Sequence, residues 1–503
     1  MTNRLGLACA LAVSALAVTA APKAIKVGWD TSGQTPEQVL AKADAFDALP
    51  FDGFGFAINE PDKNEHTGYR RVSCGHLWSR DYLKRYIPVF RELVKHKAFK
   101  ESFNTYYFLP TKRIDWKDDA AWRTFGENLA TAAWLAKQGG LKGLILDSED
   151  YWRSFQLCLR PEDGMTFDEA AKLARKRGAD VFRRAFEEYP DMTVLTFWWL
   201  SRHYGYIGSQ DPVASMRGDG DLMVPFTEGL LDVMPMTVRF YDGNEHTYHW
   251  PFVRAYADLH VSCPDVISPE NRQKFRACFG FAPAFYLDMY TNPEGSAWYR
   301  GPTGGRRLNT FLDRYEDATM FSDGYIWLFG EKHASIDWGD VKYPASSAVA
   351  YTNGTWDAAL SGFNEELAIL KDPRGELLPR LRALKESGQA QNLVTELTPD
   401  GKTFKAAVKG VRYGEWYAVL VEAKSVAPTA GCGLKCGKYS IWTRPTAKVV
   451  FEEPKADGVR RGIAFQRIWG DADTLTVGVE PRRGKLEDVK VTVYRVFDPG
   501  KQK

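Results

Sequence analysis

From Ala24 to about Gly388 the chain alternates short apolar runs with amphipathic stretches, and this alternation constrains the fold more than any other feature. The apolar runs read as strands at residues 25–29, 53–58, 103–109, 141–146, 193–199, 231–238, 284–289 and 324–329. Between them, residues 36–49, 81–96, 120–138, 167–189, 268–278 and 306–321 carry the helical period, and a last helix over 364–386 is expected to break near Pro373. Strands that are apolar throughout are buried on both faces, as in a parallel sheet wrapped by helices. Eight such strands predict an α/β fold, a (β/α)8 TIM barrel spanning residues 22–388. No early glycine-rich nucleotide fingerprint interrupts the pattern, which counts against an open doubly wound sheet.

The texture changes after Gly388. Residues 389–503 show short alternating runs at 404–408, 415–422, 438–442, 448–451, 462–468, 474–479 and 489–496, separated by Gly, Pro, Asp and Lys turns. Short strands without helices predict an all-β sandwich domain. Its expected role is to brace the barrel; Trp416, Tyr417, Trp442 and Trp469 offer the sharper reading, a sugar-binding accessory module.

The first 21 residues carry Arg4, an apolar run and small residues before Pro22, the pattern of a secretory signal peptide cut after Ala20 or Ala21. The expected localisation is therefore secreted or periplasmic. No other stretch is long and apolar enough to span a bilayer. Lys and Arg number 66 against 64 Asp and Glu, a balance that argues against nucleic acid and anionic membrane surfaces as partners. The sequence is compatible with a monomer and does not fix the oligomeric state. Without Cys9, six of the 7 cysteines remain, and an exported chain permits the pairs Cys263/Cys278, Cys432/Cys436 and Cys74/Cys158.

The run Leu141-Lys-Gly-Leu-Ile-Leu-Asp-Ser-Glu-Asp-Tyr151 ends abruptly in Asp147, Glu149 and Asp150. Carboxylates clustered at the C-terminal end of a barrel strand lie where barrels build active sites, and mutual repulsion there raises one carboxyl into the range of a general acid. The other strand ends add Trp29 and Asp30, Asn59 and Glu60, Trp198, Trp199, Arg202 and His203. Later ends add Arg239, Tyr241, Asp242, Glu245 and His246, then Asp288 and Tyr290, then Trp327, Glu331 and His333. Carboxylates mixed with aromatic rings at one rim suit a cleft that cleaves sugars: the acids handle the glycosidic oxygen and the rings hold pyranoses. Substrate contacts are expected from Trp29, Glu60, Asp150, Trp199, Arg239, Glu245 and Trp327.

The segment Gly143-Leu-Ile-Leu-Asp147-Ser-Glu149-Asp-Tyr151 resembles the second half of the strand-four signature of chitinase and endo-β-N-acetylglucosaminidase type glycoside hydrolases, Asp-Gly-x-Asp-x-Asp-x-Glu. The resemblance implies a barrel hydrolase in which Glu149 is the acid and Asp147 orients the N-acetyl group of the substrate. Residues 231–243, with Tyr241-Asp242, are similar to that family's strand-six Met-x-Tyr-Asp, and Asp323-Gly-Tyr-Ile-Trp327 to its strand-eight segment, whose Trp floors the sugar subsite. Lys142 and Ile145 depart from the signature, standing where the family has Asp, and Thr237 to Phe240 separate Met236 from Tyr241.

Three schemes stay open. One is substrate-assisted, through Asp147 and Glu149 with Tyr241 and Asp242 flanking. A second pairs Glu149 with Asp288 or Glu331 across the barrel. In a third, Asp147 is the nucleophile and Asp242 the acid. The substrate would be an extracellular polysaccharide or a glycoprotein glycan. The rival reading is a catalytically inactive barrel that binds carbohydrate. No metal or cofactor is expected: His246-Thr-Tyr-His249 lacks a third ligand, and no Gly-x-Ser-x-Gly elbow supports an esterase.

Overall fold

Nine strands form one parallel sheet: β1 (Lys23–Gly28), β2 (Gly53–Phe56), β3 (Phe103–Tyr107), β4 (Gly143–Asp147), β5 (Thr193–Thr196), β6 (Arg239–Asp242), β7 (Phe279–Phe281), β8 (Ala284–Tyr286) and β9 (Tyr325–Gly330). In this computed structural model the described residues are 22–58, 68–203, 209–249, 254–339, 354–394, 396–400, 403–424, 431–436, 439–440, 450–452, 457–469, 473–480 and 487–501. The expected signal peptide and Glu60 lie outside them.

The strand order is β7-β6-β5-β4-β3-β2-β1-β9-β8. Its two ends are halves of one run, parted only by Ala282 and Pro283, and proline has no N–H to give to a ladder. Those two residues still bridge both neighbours: Ala282 N donates to Asp242 O at 2.9 Å, and Trp327 N donates to Pro283 O at 3.0 Å. The sheet thus curls back on itself into a TIM-like barrel flanked by helices. The long helix Asp119–Gly139 starts on Asp118, whose carboxylate accepts from Ala120 N and Ala121 N, and stops at Gly140 with φ 79°. The next, Phe167–Glu188, opens with a Thr166/Glu169 capping box. The last helical stretch breaks at Asp372, between Phe363–Lys371 and Pro373–Glu386.

One strand lies elsewhere than expected. Residues 231–238 hold the end of the helix Met223–Val233 and a loop through Pro235, and the sixth strand is Arg239–Asp242. A continuous apolar run looks alike in a buried helix and a buried strand. The shift turns Arg239 from the end of a strand into its start, at the barrel end opposite the rim that carries Asp147. There its guanidinium bonds Met236 O and Val238 O at 2.8 and 3.0 Å.

Alternation along each strand sorts the interior. A Cβ on Gly55 would meet Thr105, Ile145 and Val27, so these side chains share one inner layer. Tyr325 packs against Phe103 and Tyr241 at 5.7 and 4.9 Å, and Phe197 stacks on Trp327 at 4.6 Å. Gly143 opens β4 at φ 152°, and a Cβ there would stand 1.9 Å from Thr193 O. Gly143→Ala should therefore force β4 off β5 and cost about 3 kcal/mol or more, the upper range for overpacking. Urea denaturation would show it as a lower midpoint.

After the barrel come two antiparallel sheets. One is β10 (Thr398–Asp400), β11 (Thr403–Lys409), β17 (Thr474–Glu480), β13 (Gly431–Cys436) and β14 (Tyr439–Ser440). The other is β15 (Val450–Phe451), β16 (Val459–Arg467), β12 (Trp416–Lys424) and β18 (Glu487–Phe497). Tyr417, Val419, Val421 and Ala423 of β12 share an apolar cluster with Val408 of β11 and Val477 of β17. Trp416 and Ala418, on the other face of β12, join the core cluster of the barrel. Trp416 and Tyr417 are thus interior residues; Trp442 lies outside the described residues. Arg467, buried at the end of β16, pairs with Asp313 and reaches Asn309 on the barrel helix Arg307–Thr319, and Tyr413 donates to the same Asp313.

Cys74, Cys158, Cys263 and Cys278 are free thiols, so the expected pairs Cys263/Cys278 and Cys74/Cys158 do not form. Cys74 Sγ accepts from Trp78 Nε1 at 3.2 Å, and Cys278 Sγ lies 3.8 Å from Met236 O. The side chains of Cys432 and Cys436 lie outside the described residues. Among the described residues no helix is long and apolar enough to cross a membrane.

Candidate active site

Strand alternation puts Gly143, Ile145 and Asp147 of β4 on the inner face, so Asp147 stands at the top of the barrel interior. Its carboxylate accepts from Glu149 N at 3.0 Å, which fixes the turn that projects Glu149. The hydroxyl of Tyr151 donates to Glu149. Asp150 turns away: it accepts from Ser154 N at 2.8 Å and Phe155 N at 2.6 Å. These bonds hold a loop in which Arg153 and Phe155 stand at φ 53° and 50°. Left-handed backbone at non-glycine residues costs energy and persists where the surroundings enforce it.

A further carboxyl arrives from the 3-10 turn Glu245–Tyr248 after β6. Glu245 accepts from Trp198 Nε1 and from the Tyr248 hydroxyl, the latter at 3.3 Å, and shares a hydrogen bond with Glu149. A fourth, Glu331, follows β9 and accepts from the Tyr286 hydroxyl at 2.8 Å. β9 lies four places from β4 around the barrel, so Glu331 enters from the opposite wall. Asp147, Glu149, Glu245 and Glu331 all line one cavity of about 600 Å³, together with the rings of Tyr107, Trp152, Tyr248, Tyr286 and Trp298.

Burial lifts the Asp147 carboxyl well above the usual range, and repulsion from Glu149 adds to it; the Glu149 amide and the guanidinium groups of Arg71 and Arg70 pull the other way. Burial likewise raises Glu245 well above its ordinary value, helped by Glu149 and Asp147. Protons in this cluster belong to the group and not to single residues. Arg71 itself is buried between Trp152, 4.0 Å from its guanidinium, and Tyr107 at 4.7 Å. Desolvation pulls its pKa down to about 10.

A carboxyl held protonated in the folded state and ionised in the unfolded chain contributes stability that is full below the usual carboxylate range and is lost as pH rises through the folded-state value. Glu245→Gln keeps the neutral, hydrogen-bonded form at every pH. Thermal melts should therefore coincide with wild type near the unperturbed Glu value of about 4.3 and run higher than wild type at alkaline pH. Coincident melts at both ends would contradict the elevated Glu245.

The remaining candidates lie elsewhere. Asp242 is fully buried; its oxygens accept from Trp199 N, Ser201 N and Asn244 N at 3.1, 2.7 and 3.2 Å, so it ties loops together. Asp288 is also fully buried and accepts from Glu331 N and Lys332 N at 3.1 and 3.2 Å, which makes it the anchor of the Glu331 turn. Tyr241 sits low in the barrel against Tyr325, and its hydroxyl is beside Gly324. Trp199 is core, donating Nε1 to Thr227 at 2.9 Å. Trp327 lies beneath the cavity, bonded to Gly243 O at 2.8 Å. His246 and His249 pack on Trp198 and Trp298, each on a different ring. The side chains of Trp29, Asp30, Arg202 and His203 lie outside those described, as does Asn59.

Several cavity residues are absent from the expected site. Tyr107, Tyr248, Tyr286 and Trp298 are among them. Tyr248 had a local signal, its place three residues after Glu245 on one helical turn. Trp298 had none, because it stands on a loop after Tyr290.

No protein-family model and no curated protein matches the chain. Among solved structures, a GH18 chitinase from Pseudoalteromonas aurantia is 13% identical over 61% of this chain and 93% of its own, with a TM-score of 0.30. An endo-glycoceramidase II from Rhodococcus sp. is 8% identical over 92% and 98%, with a TM-score of 0.35. A 3-keto-D-glucoside 4-epimerase from E. coli is 14% identical over 69% and 98%, with a TM-score of 0.34. Likeness at this level assigns neither a family nor a reaction.

Proposed function

We propose that the chain is an exported glycoside hydrolase that cleaves an extracellular polysaccharide or glycoprotein glycan, with Glu149 as general acid/base. One observation carries the reading: Asp147, Glu149, Glu245 and Glu331 converge on an aromatic-lined cavity large enough for sugar rings. Burial raises Asp147 and Glu245, so the cluster they share with Glu149 holds the proton that a glycosidic oxygen needs, and ring faces hold pyranoses.

In the proposed reaction Glu149 passes its proton to the glycosidic oxygen as the bond to the anomeric carbon breaks. Glu245 shares a hydrogen bond with Glu149, closer than the roughly 5 Å of a retaining pair or the roughly 6.5–9.5 Å of an inverting one. It is therefore proton partner rather than opposing nucleophile. Glu331, on the opposite wall, attacks the anomeric carbon or deprotonates the water that does. On an N-acetylated sugar, Asp147 instead orients the substrate's own acetamido oxygen for that attack. Asp242 and Asp288, with oxygens already bonded to backbone amides, have no part in it. The two C-terminal sheets are read as a sandwich that braces the barrel, since Trp416 and Tyr417 are buried.

The test is release of reducing ends from a panel of glycans by the wild-type chain. Saturable release from at least one class is expected. Binding of glycans with no turnover of any would replace the hydrolase with a carbohydrate-binding barrel.

A further inference from the structure

A second cavity, about 650 Å³, borders the first across a single peptide: Glu331 lines one and Lys332 the other. Its wall holds Arg306, Arg307, Lys332 and His333. Among the described residues the side-chain hydrogen bonds of Arg307 and Lys332 go to neutral groups. Arg307 donates to the carbonyls of Tyr290 and Asn292 at 3.2 and 2.5 Å, and Lys332 Nζ donates to the Asn292 side-chain oxygen. Arg306 pairs with the carboxylate of Glu366 at 2.6 Å, and its buried Nη1 has no partner among the described residues. His333 is held against the Trp356 ring at 4.8 Å.

A second feature points the same way. The helix Arg307–Thr319 starts at this wall with no acidic residue in its first turn, and its N-cap Arg306 makes no side-chain cap bond. The first-turn amides of a helix are donors without intrahelical acceptors, and the dipole adds positive potential at the same end. Cations, an unpaired buried guanidinium donor and an uncapped helix start meet in one cavity, and each favours the same occupant.

We propose that this cavity is an oxyanion-binding site, taking a carboxylate, sulfate or phosphate group. Binding there would act on the turn that carries Glu331, because Glu331 N and Lys332 N both hang on Asp288.

Isothermal titration of the full chain with sodium sulfate, sodium phosphate and sodium glucuronate, against sodium chloride at matched ionic strength, tests the proposal. One saturable site is expected for at least one oxyanion and none for chloride. Lys332→Gln and Arg307→Gln, each checked by thermal melt, should weaken it about tenfold, the scale of one charge-assisted hydrogen bond. Tighter binding of glucuronate than of the inorganic anions would identify a sugar acid as the source of the group; the reverse order would identify a free inorganic anion. Heats no different from chloride in the wild-type chain would overturn the site. So would unchanged affinity in a folded Lys332→Gln variant.

Discussion

Glu149→Gln is expected to lower kcat by roughly 10²–10⁴-fold on natural glycans, the range for loss of a positioned general acid. The amide keeps the size and the contacts with Tyr151 and Glu245 but carries no transferable proton. The loss should depend on the leaving group. An aryl glycoside whose phenolate departs without protonation should lose far less than an alkyl or sugar leaving group. A structural collapse of the cavity would penalise both alike, so the ratio of the two losses separates chemistry from misfolding. Equal losses on both substrates would remove Glu149 as the acid.

Arg467→Met should lower the stability of the whole chain by about 3 kcal/mol, the lower end for breaking a buried ion pair. Arg467 is buried where the second antiparallel sheet meets the barrel, and it pairs with Asp313 on the Arg307–Thr319 helix. Methionine fills the space and leaves Asp313 with Tyr413 as partner. Because Trp416 and Phe465 add apolar surface at the same junction, the loss should appear in the barrel as well as in the sheets. Chemical denaturation followed by tryptophan fluorescence would show a lower midpoint. A transition confined to the C-terminal sheets, with the barrel unmoved, would contradict this coupling.

The barrel was legible because parallel strands buried on both faces leave continuous apolar runs, as at Leu144-Ile-Leu146, and because the stretches between them, as at 120–138 and 167–189, carry the helical period. Strand six was not legible. Its run is too short and too polar, Arg239-Phe-Tyr-Asp242, beside the stronger apolar end of a buried helix. The cluster at Asp147 and Glu149 could be read from one strand end, where three carboxylates follow an apolar run, although the third, Asp150, serves the loop. Its neighbours could not be ranked the same way. Asp242 and Glu245 follow the same strand three residues apart, yet one is buried under backbone amides and the other reaches Glu149. Between them Asn244, at φ 39°, begins the 3-10 turn that carries Glu245. Asp288 and Glu331 show the same division, with one anchoring the turn of the other.

The most direct test of the central claim is a crystal structure of the Glu149→Gln variant with an oligosaccharide that the wild type cleaves. The account places the scissile glycosidic oxygen within hydrogen-bond reach, about 3 Å, of the residue 149 amide, with Glu331 on the far side of the anomeric carbon. A glycan seated outside the cavity bounded by Asp147, Glu149, Glu245 and Glu331 would contradict it.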